Sequence, residues 1–325
     1  MRVRGDARAR RLILMAAVAG LAMATAAACG SGAVTSAAVP ATVTPTPFAA
    51  TASPMPAATS SGSCNVDGSS VSPSTTVVNQ SDINKIKARG KLIVGVAADQ
   101  YLTGYLNSAE QEEGFDIDLA HAIAKSLLGN ANAVQFVVVS TDQRIPDLQN
   151  HSVDLVIDTM TINCERLTEV DFSAVYYNAS QRLLVEKGSG YTSLATLGGK
   201  NVCAQTGSTS IQLIQQAASK PHAIEVTDIS DCLVLLEENQ VSAISTDDTI
   251  LAGLAVQDPN LQVVGPSLSP EPYGIAMPLG ATDLEAYVNG VLAQYEADGG
   301  WAASYNHWFA PSLGAGSPPL AQYSD

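Results

Sequence analysis

The sequence is short of positive charge. Lys and Arg total 16 against 31 Asp and Glu, a net charge of −15. Such a chain repels phosphate backbones and anionic lipid, which argues against nucleic acid as a partner. Histidine is scarce as well. His121, His151, His222 and His307 stand far apart, and no C-x-x-C pair accompanies them, so zinc-ligand spacing is missing. There is no P-loop, no G-x-G-x-x-G, no G-x-S-x-G and no H-E-x-x-H. The signatures of nucleotide binding, serine hydrolysis and zinc proteolysis are thus lacking. No cofactor or metal is expected. Residues 30–63 hold no charged residue at all.

That uncharged stretch is mostly Ala, Thr, Ser and Pro, punctuated by Pro40, Pro45, Pro47, Pro54 and Pro56. It has too little to bury and is expected to stay disordered, an extended spacer. Before it, five arginines fall within the first eleven residues, and Leu12 to Ala28 carries no charge. A basic start, an apolar run and small residues at its end describe an export signal over residues 1–28. The run is shorter than the roughly 20 residues of a spanning helix. Small residues before Cys29 resemble the bacterial lipobox, in which the Cys is lipidated, although Ala26 stands where that pattern usually has Leu. The expectation is a lipid anchor at Cys29, a tether over 29–79, and a globular body on the outer face of the cytoplasmic membrane.

Four cysteines remain: Cys64, Cys164, Cys203 and Cys232. An even number in an exported chain suits two disulfides, with zinc as the poorer reading.

The body alternates strand and helix. "GKLIVGVA" (90–97), "AVQFVVVS" (133–140) and "VDLVID" (153–158) read as buried parallel strands. Between the first two lies "GFDIDLAHAIAKSLLG" (114–129), whose apolar residues share one helical face. A second set follows, through "RLLVEKG", "NVCAQTGSTSIQLIQQ", "AIEVTD", "VSAIST" and "DDTILAGLAVQ". The order is α/β in two tandem units, each a mainly parallel sheet flanked by helices. Ligands in such sheets sit at the carboxyl ends of strands. The stretch "DTMTINCERLTEVDFS" (158–173) begins at one such end.

Six segments in order carry a resemblance: "RGKLIVGV", "GFDIDLAHAIAK", "IPDLQNHSVDLVIDTMTINCERLTEVDFSAVYY", "LGGKNVCAQTGSTS", "AISTDDTILAG", and "PYGIAMPLG" with "YNHWF". Together they resemble the polar amino-acid-binding proteins of ATP-driven importers, over about residues 85–310. The cysteine positions and "STDDTILAG" look closest to actinobacterial lipoproteins for glutamine, glutamate, aspartate or asparagine. The resemblance implies a two-lobed, periplasmic-binding-protein-like fold closing on its ligand like a hinge. Lobe 1 would be residues 80–179 plus 271–325, and lobe 2 residues 184–266. Crossings would lie near 178–183 and 267–272. Disulfides Cys64–Cys164 in lobe 1 and Cys203–Cys232 in lobe 2 would follow.

The ligand would be a free amino acid, whose carboxylate, ammonium and side chain each need a partner. Arg166 falls where the family grips the α-carboxylate, since a guanidinium makes two parallel bonds to it. A solvated arginine paired to Glu165 or Glu169 is the bland alternative. Thr161 would reach the ligand with backbone and hydroxyl, and Thr159 with its carbonyl. Asp247 would take the ammonium, unless it merely caps the helix after it. Thr209 would meet the carboxylate at a helix start, unless it too is only a cap. Gln205 stands where some relatives have Lys, Ala97 where many have Asp, and Thr141 where some have an aromatic. Tyr101 or Tyr105 would supply a lid. Asp158, if it faces the cleft, would disfavour acidic ligands and favour amide or basic ones. If it points away or pairs with a neighbour, it would not select.

The implied partners are a free amino acid and a membrane permease. A membrane sensor that controls a kinase is the alternative receiver. An enzyme on the same fold, a dehydratase or lytic transglycosylase, is the third class, but no acid–base pair is visible.

Overall fold

The computed structural model describes residues 64–74 and 81–324. The expected signal segment, Cys29, and residues 29–63 and 75–79 of the tether lie outside the described residues. Among the described residues, no helix is long and apolar enough to cross a membrane.

The chain opens with α1 (Ser81–Arg89), β1 (Leu92–Val96) and a small meander of β2 (Asp99–Gln100), β3 (Gly104–Leu106) and β4 (Glu112–Glu113). Then come α2 (Phe115–Leu128), β5 (Val134–Val138), α3 (Arg144–Gln149), β6 (Leu155–Val156) and β7 (Val170–Phe172). A long strand, β8 (Tyr177–Glu186), leads to β9 (Asn201–Gln205), α4 (Thr209–Gln216), β10 (His222–Val226), α5 (Ile229–Glu237), β11 (Ala243–Asp247) and α6 (Asp248–Gln257). A second long strand, β12 (Leu261–Tyr273), is followed by β13 (Ala276–Pro278), α7 (Thr282–Ala297), α8 (Gly300–Trp308) and α9 (Ala310–Leu313).

Two five-stranded sheets result, one per lobe. Lobe 1 has the order β5-β1-β6-β13-β7, with β5, β1 and β6 parallel and β13 antiparallel to both its neighbours. Lobe 2 has the order β10-β9-β11-β8-β12. Here β10, β9 and β11 are parallel, while β8 and β12 run antiparallel.

The lobe 1 core gathers α2, α7 and α8 over the sheet, with Phe115, Tyr176, Trp301 and Phe309 fully buried at its centre. Its rings meet closely: Phe115 stacks on Phe309 at 4.8 Å and Trp301 on Tyr305 at 5.0 Å. Gly114 starts α2 at φ 136°, against the carbonyl of Thr103, where a Cβ would lie 2.2 Å from the oxygen. That leaves room only for glycine. Asp116, the second residue of α2, is buried inside the lobe.

β8 and β12 join the lobes. Their ladder runs from Tyr177↔Tyr273 to Glu186↔Leu261, interrupted by an irregularity between Val264 and Ser269. Tyr177 and Tyr273 belong to the lobe 1 core, and Leu183, Leu184 and Val263 to the packing of lobe 2. Disulfides join Cys64 to Cys164 and Cys203 to Cys232, the two pairs expected from the resemblance.

Candidate amino-acid site

The carboxyl ends of β6, β9 and β11 converge between the lobes. The lobes are in contact around that point. Ser230 of lobe 2 donates its N–H to Asp99 of lobe 1 at 3.0 Å. Gly253 on α6 faces the Tyr101 carbonyl so closely that a Cβ there would lie 2.1 Å from it. Between the lobes is a cavity of about 20 Å³ lined by residues of both, among them Thr159, Thr161, Arg166, Gln205, Thr209 and Asp247. A side pocket of about 250 Å³ adjoins it and shares Gln100, Thr141 and Gln205. A roomier groove of about 800 Å³ lies between α2, α7 and α8 of lobe 1 and is lined by none of these residues.

Arg166 opens a single 3-10 turn, Arg166–Thr168, on the segment that follows β6 and leads to β7. Its side chain is buried, so it is not the solvated surface arginine of the bland alternative. One Nη donates to the Thr161 carbonyl at 2.7 Å, and the other reaches the Gly207 carbonyl of lobe 2 at 3.4 Å. Its backbone N–H is held by Asn163 Oδ1 at 2.9 Å. Burial, then the nearby Arg144, lower its pKa to about 9, and it stays cationic at neutral pH.

Asp247 ends β11 and precedes α6, but its side chain makes no cap bond. Tyr273 donates to its Oδ2 at 2.7 Å. Its Oδ1 is buried without a partner among the described residues. Burial, then the charge of Glu271, push this carboxyl well above the usual range. Such a group calls for a cation with hydrogen-bond donors. Asp248, meanwhile, accepts from the Ser180 N–H and hydroxyl on β8, at 3.3 and 3.1 Å.

Thr159 sits at φ 44°, in the left-handed region uncommon for a β-branched residue. Its N–H goes to Asp116 at 2.8 Å and its hydroxyl to Gln100 at 3.0 Å. The carbonyl is what it has left for a ligand. Thr209 is the first residue of α4, but the cap is Ser208, which accepts from the Ile211 N–H at 3.1 Å. The Thr209 hydroxyl goes to Glu271 instead, at 2.9 Å. Gln205 lines both spaces and donates to the Thr227 carbonyl at 3.2 Å.

Two expected site residues are placed differently. Asp158 lines the side pocket but not the inner cavity. It is buried against Arg144, 3.7 Å away, and accepts from Gln100 at 3.2 Å. Arg144 also bonds the Asp158 and Thr141 carbonyls at 2.8 and 3.0 Å. Burial lifts the Asp158 carboxyl to about 7, with Arg144 opposing. A carboxylate so paired offers little net charge for selecting a side chain, which is the alternative in which Asp158 pairs with a neighbour. Tyr101 lines neither space. Its ring packs edge-on against Tyr105 at 4.9 Å, so it is not a lid over the site.

Sequence reasoning missed Glu271, Arg144, Gln100 and Tyr273. Glu271 immediately precedes the segment "PYGIAMPLG", but its spacing carries no signal of its own.

The model for the bacterial extracellular solute-binding proteins, family 3, matches residues 92–311. The chain belongs to that family. As a solute-binding protein it is a transport component and not an enzyme. It is similar to the glutamine-binding protein of an ABC transporter from Bacillus subtilis (strain 168), 41% identical over 225 residues, 69% of this chain and 82% of the relative. A glutamine-binding protein from Geobacillus stearothermophilus is 43% identical over 202 residues, 62% of this chain and 77% of that one. Among solved structures, an ancestral arginine-binding protein bound to glutamine superposes with a TM-score of 0.65 at 38% identity, covering 68% of this chain and 98% of that one.

Proposed function

We propose that this solute-binding protein captures a free polar amino acid of the glutamine class between its lobes and delivers it to the permease of an ABC importer. The unpartnered Oδ1 of Asp247 carries the reading, set in one cavity with the buried Arg166. An acid and a fork of N–H donors on one small cavity complement the ammonium and carboxylate of one zwitterion. Thr159 adds its carbonyl on the ammonium side, and the N–H groups opening α4 serve the carboxylate.

Amide side chains fit the adjoining pocket better than acidic ones. Asp99 and Asp228 line it together with the amides of Gln100 and Gln205, and among the described residues no Lys or Arg lines it. The similarity to glutamine-binding relatives points the same way. β8 and β12 act as the hinge, since they are the long strands common to both lobes. Lipidation of Cys29 holds the body at the outer face of the membrane, within reach of the permease.

Calorimetry on residues 64–325 with each of the twenty amino acids tests the ligand. Glutamine is expected to bind most tightly, and tight glutamate binding without any amide binding would overturn the assignment. For delivery, a deletion strain should lose uptake of labelled glutamine. Intact uptake with altered kinase signalling would instead assign the protein to a membrane sensor. Release of the protein from membranes by Cys29→Ser tests the anchor.

A further inference from the structure

Glu271 lies on β12, behind the cavity, and is buried. Its Oε2 accepts two hydroxyl protons, from Thr161 in lobe 1 at 2.7 Å and Thr209 in lobe 2 at 2.9 Å. Its Oε1 accepts a third from Ser269 at 2.5 Å. Thr161 and Thr209 line the cavity, whereas Glu271 does not.

A threonine hydroxyl has one proton and two lone pairs. With that proton committed to Glu271, each hydroxyl turns lone pairs toward the cavity. Lone pairs attract an ammonium, which has only donors, and repel a carboxylate, which has only acceptors. The polarity of both threonines is therefore set from behind. They join Asp247 Oδ1 as acceptors, and the carboxylate is left to Arg166 and backbone N–H groups.

We propose that Glu271 is a positioning residue for ligand binding: it fixes the hydroxyls of Thr161 and Thr209 as acceptors for the α-ammonium, and it bridges the lobes as it does so. The proposal rests on the amino-acid-binding reading above. A carboxylate suits this role better than an amide. Glutamine at 271 would turn an N–H toward one threonine oxygen and free that hydroxyl to swing its proton into the cavity.

The test is calorimetric, with L-glutamine and its desamino analogue, in which hydrogen replaces the α-ammonium. Glu271→Gln should weaken L-glutamine binding by about tenfold or more, and change desamino binding by less than about threefold. In a Thr161→Val/Thr209→Val background the same substitution should add little, because it acts through those hydroxyls. Equal losses for both ligands, or an undiminished loss in the valine background, would overturn the proposal. Melting curves establish that each variant is folded. If Glu271→Gln does not fold, the single valine variants decide. Each should lose glutamine affinity far more than desamino affinity, and an equal loss counts against the proposal. A wild-type protein that binds no amino acid overturns the functional reading itself. Glutamine binding that is indifferent to Glu271 overturns only the positioning role.

Discussion

The hydroxyl of Tyr273 donates to Oδ2 of Asp247 at 2.7 Å, and Oδ1 of the same carboxylate is buried with no partner among the described residues. Tyr273 is on a strand between the lobes, and Asp247 is at the end of a lobe 2 strand. The tyrosine thus orients the acid while leaving one oxygen for a ligand. An unpaired buried carboxyl oxygen costs free energy in the empty protein and is repaired by an ammonium. Asp247→Asn keeps the shape and removes the charge. Affinity for glutamine should fall on the order of 100-fold, while the ligand-free melting temperature holds or rises. Calorimetry and thermal unfolding read the two effects. Unchanged affinity would remove Asp247 from the site.

Arg166 is committed at one Nη to the Thr161 carbonyl and leans on Gly207 across the cleft with the other. Its planar fork makes these contacts and can still present N–H groups to a carboxylate. Lysine keeps the charge but not the fork. Arg166→Lys should cost about tenfold to 100-fold in affinity, with a smaller effect on melting. Affinity within about twofold of wild type would show that charge alone suffices there.

Which parts of this site were legible in the sequence depended on how local their causes are. β1 and β5 announce themselves as β-branched runs, and α2 by one apolar face, because burial on a sheet imposes those patterns. Arg166, Thr161, Thr159 and Asp247 follow strand ends, which can be located from the strands before them. Glu271 works through Thr161, 110 residues away, and Thr209, 62 residues away. No spacing encodes such a pairing. Asp158 misleads for the same reason. Its partner Arg144 opens another helix, and the pair exists only once α3 packs beside β6. Tyr101 sits in a short meander without periodicity, so its direction could not be read.

The Arg144–Asp158 pair gives a prediction opposite to the one a free cleft carboxylate would give. Both side chains are almost fully buried. Removing one partner leaves a buried charge uncompensated, typically at about 3–5 kcal/mol. Asp158→Asn should therefore lower the melting temperature strongly and leave the ranking of amino-acid ligands as it is. A stable variant with preference moved toward glutamate would restore Asp158 as a selector.

Buried carboxyls also set a pH dependence. Burial raises Asp116 to about 7, and Asp247 well above its usual value. In the unfolded chain an Asp titrates near about 3.9. Between these limits the folded state binds more protons, so stability falls as pH rises. The contribution is complete below pH of about 4 and is lost as pH climbs through about 7. Affinity has the opposite sign, because Asp247 must ionise to hold an ammonium. Ligand-free protein should melt higher at pH 5 than at pH 8, yet bind glutamine more weakly at pH 5. Melting temperatures that climb steadily from pH 5 to 8 would contradict this account.

The segment Cys64–Ser74 precedes the family-matched region and straps lobe 1. Cys64 is bonded to Cys164, two residues before Arg166. Further along, the Ser70 hydroxyl and Val71 N–H both donate to Glu285 on α7 at 2.8 Å. Asn289, one turn on, donates to the Ser70 hydroxyl at 2.7 Å and the Val71 carbonyl at 2.8 Å, and accepts from the Ala174 N–H at 2.8 Å. The strap therefore fastens both ends of the stretch that carries Arg166. A crosslink across a separation of 100 residues restricts the unfolded chain by about 4–5 kcal/mol in the entropic account. Cys64→Ser/Cys164→Ser should lower the melting temperature by roughly 5–15 °C for a body of this size. The loosened turn should also weaken glutamine binding several-fold, because Arg166 loses a fixed neighbour. Calorimetry well below the lowered melting point separates the effects. A large drop in melting temperature with unchanged affinity would mean that the strap stabilises lobe 1 without positioning Arg166.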